Sequence, residues 1–202
     1  MFVLEQATDP WRFYPDPAPE LAHELVFVGN SRRVRRPALD WLLPTKHDLA
    51  VWGGDWGGLI DTRLVAAEFI PNDELRRVYS SAKIVLADHW EDMREHGYIS
   101  NRIFDALSCG AMVLSDSVSG LSERFGDGVA VYGSAQELRD QVELLLGDEH
   151  QRRSRAARGR ECVLREDTFA CRVDTLLERV QTRRHELGAR TGIVPDRRPV
   201  LS

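Results

Sequence analysis

Short, uninterrupted apolar runs recur along this chain, and each stops abruptly at a turn or a polar cluster. Leu25-Val-Phe-Val28 ends in Gly29-Asn30, and Leu49-Ala-Val-Trp52 ends in Gly53-Gly54 with a second glycine pair at 57 and 58. Ala66 to Ile70 stops at Pro71, and Ile84-Val-Leu-Ala87, Met112-Val-Leu114 and Val129-Ala-Val131 follow. A strand with one wet face alternates apolar and polar residues, so a continuous run marks a strand buried on both faces. Helix signals fall between the runs. Asn72 is placed to cap a helix through Ala82, with Asp73 and Glu74 in its first turn. Residues 98–109 carry Ile99, Ile103, Ala106 and Leu107 on one face and end at Gly110. Ser134-Ala-Gln-Glu137 is a capping box opening a helix to about Leu146. Strands alternating with helices predict an α/β fold, a Rossmann-like doubly wound parallel sheet.

In such a sheet the ligand lies outside the carboxyl ends of the strands, where strand order reverses. The loops after Val28, Trp52, Ile70 and Ala87, and the helix starting near Tyr98, are therefore where chemistry is sought. Around this core the sequence divides simply. Residues 1–24, rich in proline and aromatics, read as an extended lead-in. Residues 25–150 form the predicted ligand-binding domain, 151–187 are helices packing on it, and 188–202 are a frayed tail.

Charge narrows the function. The net charge is −5, which argues against nucleic acid as a partner. It is unevenly placed: residues 1–150 carry 14 basic and 25 acidic side chains, and the remainder carries 13 arginines and 7 acids. Inside the acidic part, Gly29-Asn30-Ser31-Arg32-Arg33 is followed at once by Arg35 and Arg36. Glycine admits close backbone approach, and guanidinium forks match phosphate oxygens two at a time, so this loop is a candidate diphosphate clamp. The competing reading is a solvated basic loop. In Tyr98-Ile-Ser-Asn-Arg-Ile-Phe-Asp105, Ser100, Asn101 and the unpaired N–H groups of a helix start offer an anion seat. Arg102 adds a cation. Asp105, expected on the polar face one turn after Asn101, could accept from vicinal ribose hydroxyls.

Other chemistries lack their residues. The three cysteines form no C-x-x-C pair, and Cys109 reads as a small buried hydrophobe. His89-Trp-Glu-Asp-Met-Arg-Glu-His96 has no H-E-x-x-H spacing and reads as a mobile acidic loop lining the cleft, with no metal. No G-x-S-x-G, Walker A or G-x-G-x-x-G occurs, which removes the usual nicotinamide dehydrogenase. No apolar run is long enough to span a bilayer, and Met1 is not followed by a signal sequence, so a cytoplasmic location is expected.

The segment Asn101-Arg-Ile-Phe-Asp-Ala-Leu-Ser-Cys-Gly-Ala-Met-Val-Leu-Ser-Asp116 resembles retaining GT-B glycosyltransferases (group 1, family-4-like) where their E-x7-E motif runs into a strand. Phe69 to Leu86 resembles the stretch upstream in the same enzymes. Tyr98-Ile-Ser-Asn-Arg and Val51-Trp-Gly-Gly-Asp-Trp56 are closest to the CgeB-like subgroup, and Gln6 to Pro15 is similar to the linker entering the second domain. The resemblance, over roughly residues 2–180, implies the C-terminal, donor-binding half of a glycosyltransferase. Its donor would be a nucleoside-diphosphate sugar, with no cofactor or metal and with an N-terminal acceptor domain missing from this chain. It places Asp105 on the ribose, and Gly29, Asn30, Ser31, Arg32 or Arg36 with Ser100, Asn101 and Arg102 on the diphosphate. Tyr98 falls at the same site, and the Phe69-Ile70-Pro71 loop is placed on the base. Gly97 stands where the first glutamate of the motif would be. That departure keeps open a non-catalytic nucleotide-binding or interaction module on the same fold. Arg172, Arg179, Arg183 and Arg184 suggest pairing with the missing domain or peripheral contact with an anionic membrane.

Overall fold

The computed structural model describes residues 3–191, with side chains through Leu187. Six strands form one parallel sheet: β1 (His23–Val28), β2 (Leu49–Trp52), β3 (Val65–Ala67), β4 (Ala82–Ala87), β5 (Met112–Asp116) and β6 (Val129–Tyr132). Their spatial order is β3-β2-β1-β4-β5-β6. Leu25 lies beside Leu49 on one side and Ile84 on the other, and Phe27 beside Val51 and Leu86. Order therefore reverses between β1 and β4, and the crevice opens there.

The apolar runs are continuous because alternate residues feed two cores. Leu25, Phe27, Ile84, Leu86, Met112 and Leu114 enter one cluster, closed by Ala38 and Leu39 of α1 (Pro37–Asp40) and Leu138, Val142 and Leu145 of α6 (Ala135–Gly147). Val85, Ala87 and Val113 point the other way. They meet Tyr79 of α2 (Leu75–Ser81), Ile103 and Leu107 of α4 (Asn101–Ser108), Leu121 of α5 (Leu121–Phe125) and Val163 of α7 (Glu149–Glu166). A period-two backbone between two helical layers leaves no strand face for polar residues. The remaining helices are α3 (Glu91–His96) and α8 (Phe169–Thr191).

Several boundaries differ from expectation. β3 ends at Ala67 rather than Ile70, because it is an edge strand whose pairing with β2 is irregular at Val51/Trp52. α2 begins at Leu75, and Asn72 lies in a turn closed by the Glu74 amide donating to Pro71 O at 3.0 Å. The 89–96 segment is not a loop, since α3 occupies most of it and ends at Gly97 in the left-handed region (φ 69°). Residues 188–191 continue α8, and the rest of the expected tail, 192–202, lies outside the described residues.

The lead-in is packed onto the domain. Phe13 is buried, and its carbonyl accepts from Ser108 Oγ at 2.5 Å. The Asp16 and Ala18 amides donate to Ser80 and Ser81 of α2. Thr8 bridges the junction of α7 and α8: its amide donates to Asp167 O at 2.9 Å, and its carbonyl accepts from the Phe169 amide at 3.0 Å.

α7 crosses close to the rest of the domain at Gly159. A Cβ there would stand 2.7 Å from Leu107 Cδ2 and 2.8 Å from Gly128 O. Replacing a mid-helix glycine by alanine ordinarily stabilises by about 1 kcal/mol. Here the overlap reverses the sign. Gly159→Ala should destabilise the fold by roughly 1–3 kcal/mol, read as a lowered urea midpoint.

Candidate functional site

The crevice at the strand reversal is floored by the loop after β1. Gly29 and Gly53 bring two loops into backbone contact, and a Cβ on Gly53 would lie 2.4 Å from Gly29 O. Gly53 also has φ 135°, so only glycine fits the junction. Asn30 Oδ1 accepts from the Gly54 amide at 2.8 Å, and Trp56 Nε1 donates to Gly29 O at 3.1 Å. Ser31 is fully buried: its hydroxyl donates to Asp55 O and accepts from the Arg33 amide. Asn30 and Ser31 thus brace the loop, with those polar atoms directed at protein rather than at the crevice. Arg32 and Arg33 both take left-handed backbone (φ 52° and 61°), which turns the chain out toward solvent.

The arginines separate into distinct roles. Arg36 is buried, bonded through Nε and Nη2 to the Asp88 carboxylate and carbonyl, and stacked 3.9 Å over the Trp90 ring. Its charge is neutralised inside the protein, so the expected diphosphate contact is a structural ion pair instead. Arg35 pairs with Asp40 at 2.5 Å. Arg32 remains exposed, 4.9 Å from the same Trp90 ring. Beside it a cleft of about 660 Å³ is lined by Arg32, Trp90, Glu91, Asp92, Met93 and Glu95.

Arg102 is the unmatched group. It extends from the first turn of α4 under Gly29, where a Cβ on that glycine would meet its Nη2 at 2.7 Å. The Phe27 ring lies 5.1 Å below the guanidinium. Nη1 is buried and has no hydrogen-bond partner, and no carboxylate ion-pairs with Arg102 among the described residues. Burial pulls its pKa below the usual arginine range, with the neighbouring Tyr79 and Asp88 only partly offsetting that effect. A buried donor on a cation, left unpaired, is costly unless something else completes it.

The start of α4 is held by residues that the motif analysis did not assign. The Ser100 amide donates to His89 Nε2 at 3.0 Å, and His89 Nδ1 lies 2.6 Å from Asp116 Oδ1. The ring proton therefore sits on Nδ1. Arg94 Nη1 also donates to Asp116, at 3.2 Å. Burial alone would raise the Asp116 pKa, but these donors hold it below the usual carboxylate value. Asp88, His89 and Asp116 all stand at carboxyl ends of buried strands, and that position was their signal in the sequence. Asn101 is exposed at the helix start, and Tyr98 is half-exposed and stacked on His96 at 6.0 Å. Ile70 lies in the loop after β3, where Glu68 O comes within 3.7 Å of a Cβ placed on Gly54, next to Asn30.

Asp105 is not on a polar face. It is 7% exposed, because the lead-in covers α4, and its Oδ1 accepts from Thr8 Oγ1 at 2.8 Å. Burial pushes its pKa up to about 7, with the Thr8 bond acting in the opposite direction. Its neighbours Thr8, Asp9 and Arg12 belong to the lead-in, not to the arginine loop. Burial likewise pushes the Cys109 thiol up to about 12, as fits a core residue.

A parallel sheet with a cationic crevice at its strand reversal defines a Rossmann-like ligand-binding domain. The chain belongs to the glycosyl transferase-like family, whose sequence profile matches residues 32–178. Its fold is that of the C-terminal domain of GT-B glycosyltransferases. It is similar to the sucrose-phosphate synthase of Thermosynechococcus elongatus (TM-score 0.64, 17% identity, 91% of this chain and 52% of that one). It is also similar to Anabaena HepE in complex with UDP-glucose (TM-score 0.65, 14% identity, 87% and 56%). The C-terminal domain of a group 1 glycosyl transferase, LpcC of Francisella tularensis, is matched over 99% of its length (TM-score 0.57, 15% identity, 80% of this chain). The chain thus spans about half the length of the first two. A search of curated protein sequences finds no match. Among the described residues no helix is long and apolar enough to cross a membrane.

Asp105 gives a pH test. Its folded pKa lies above the unfolded value, so the folded state binds more protons and stability declines as pH rises between about 4 and 7. Asp105→Asn retains a neutral acceptor for Thr8 and should flatten that decline. The variant's melting temperature should exceed that of the parent at about pH 8 and approach it near pH 4.

Proposed function

We propose that this chain is the donor-binding half of a glycosyltransferase that moves a sugar from a nucleoside diphosphate to an acceptor. The observation that carries this reading is Arg102: a guanidinium fixed at the strand reversal, beside a glycine backbone and the start of α4, with a buried donor unsatisfied. A diphosphate oxygen supplies the missing acceptor and counter-charge. Exposed Arg32 and the N–H groups at Asn101 and Arg102 would complete the seat. During transfer, charge grows on the leaving diphosphate, and fixed cations and helix N–H groups stabilise it without a metal ion. The HepE complex with UDP-glucose supports a uridine donor here by analogy of fold. The loop at Ile70 would border the base, and the motif resemblance supports a retaining, CgeB-like enzyme.

In this reading the acceptor domain is a separate body of comparable size, the chain alone does not turn over, and the protein works in the cytoplasm. Asp105 Oδ1 is engaged by Thr8, so a ribose hydroxyl would meet the other carboxylate oxygen or displace Thr8. One observation favours a non-catalytic binding module instead. Gly97 ends α3 in left-handed backbone, so a glutamate there would be strained as well as missing. Turnover of a donor sugar by this domain joined to an acceptor domain separates the two readings.

Arg102→Met keeps the side-chain volume and the packing on Phe27 while removing the unpaired donors. UDP affinity measured by calorimetry should fall at least roughly tenfold, the loss of one charge-assisted contact. The melting temperature of the unliganded variant should stay level or rise, because a desolvated cation has gone. Undiminished UDP binding by this variant contradicts the assignment.

A further inference from the structure

A second cation without a counter-ion lies at the opposite end of the sheet. Where β4 and β5 begin, a cavity of about 410 Å³ opens between the end of α2 and one face of α7. Lys83, Arg152, Arg153 and Arg160 line it, with Ser81 and Gly110, and no carboxylate does. Arg152 and Arg160 stand two helical turns apart, with Ala156 between them as a small floor.

The four cations are not equally engaged. Lys83 reaches outward to Glu24 at 3.0 Å, and Arg153, 79% exposed, pairs with Glu149 at 2.7 Å. Arg160 donates through Nε to Ser108 O at 3.1 Å and has no ion pair among the described residues. Arg152 is only 8% exposed. Among the described residues its one side-chain hydrogen bond goes from Nη1 to Leu145 O at 2.8 Å, and no carboxylate pairs with it. Contrast Arg36, which is also buried but carries Asp88 with it. A buried guanidinium compensated by one carbonyl dipole lacks its counter-charge, and low local dielectric strengthens its pull on any anion that enters. Two forked donors on one helix face, with a lysine and a third arginine at the rim, match a tetrahedral oxyanion bearing two charges.

We infer that the cavity lined by Arg152, Arg160 and Lys83 is a second anion site, specific for a phosphate monoester or inorganic phosphate and separate from the crevice at Arg102. Its two sources are a free phosphate and the phosphorylated headgroup of a lipid. The site sits at the amino ends of the strands, so it can be filled while the crevice at their carboxyl ends is occupied.

The test is a titration of the full chain with inorganic phosphate at constant ionic strength, followed by backbone amide NMR. Saturable shifts are expected at Ser81, Lys83, Gly110 and Arg153. Arg160→Gln, at the cavity's edge, should weaken the response at least roughly fivefold, and Arg102→Met should leave it unchanged. Arg152→Met, an apolar replacement of similar length, should abolish the shifts while preserving the fold. Linear shifts, no shifts, or shifts unaltered by Arg160→Gln and Arg152→Met overturn the site. Sedimentation with phosphatidylcholine vesicles, with and without phosphatidylinositol phosphate, identifies the source. Retention only by the phosphorylated lipid, displaced by free phosphate, assigns a headgroup. Saturable phosphate binding without retention assigns the free anion. A UDP titration of the same sample reports on Gly29 and Ser100, so failure at one end of the sheet is distinguishable from failure at the other.

Discussion

Two guanidinium groups enter the same poorly hydrated space at the carboxyl ends of β1 and β4, and only one meets a carboxylate. Arg36 and Asp88 form a closed pair, capped by Trp90, that ties the arginine loop to the end of β4. Arg102 comes in from α4 over Phe27 and finds backbone and an aromatic face instead. The first arrangement fixes the geometry; the second leaves it electrically incomplete. A crevice built this way is ordered before any ligand arrives, which lowers the entropy that binding must overcome. The His89–Asp116 couple serves the same end by anchoring the Ser100 amide just before the helix.

Much of this was readable from residue order. Continuous runs such as Leu25 to Val28 cannot rest on a half-wet sheet, so the parallel architecture and the location of the crevice followed directly. The arginine loop was also found, but its internal division was not. Arg32 and Arg36 are the same residue type four positions apart, and only the partner contributed by β4 makes one buried and the other free. Asp105 departs from its expected exposure for a related reason. On α4 alone its position is polar, and the covering comes from Thr8, distant by 97 residues. Long-range neighbours decide which of two equivalent side chains is exposed, and no helical period contains them. Boundaries at Asn72 and Ile70 failed differently, because a capping residue signals a helix only where tertiary packing lets the helix start.

Arginine recurs here as a structural residue. Arg172 donates to Glu5 O, Gln6 O and Glu166 O and pairs with Asp167, so it fastens the lead-in to the junction of α7 and α8 and is not free for a membrane surface. Arg124 joins the same group through Glu5 and Asp167. A planar fork with five fixed donors can serve more carbonyls at once than the three donors of a lysine. The strongly basic composition after residue 150 is thus partly internal scaffolding.

The Thr8 bridge has a mechanical side. The stretch of chain entering the domain and the one leaving toward α8 are clasped by the same pair of backbone hydrogen bonds, at Asp167 and Phe169. Tension applied to both flanks would load that clasp first and leave the six-stranded sheet unstrained. The domain would therefore respond to pulling by shedding a short tether at one spot, well before its interior gave way.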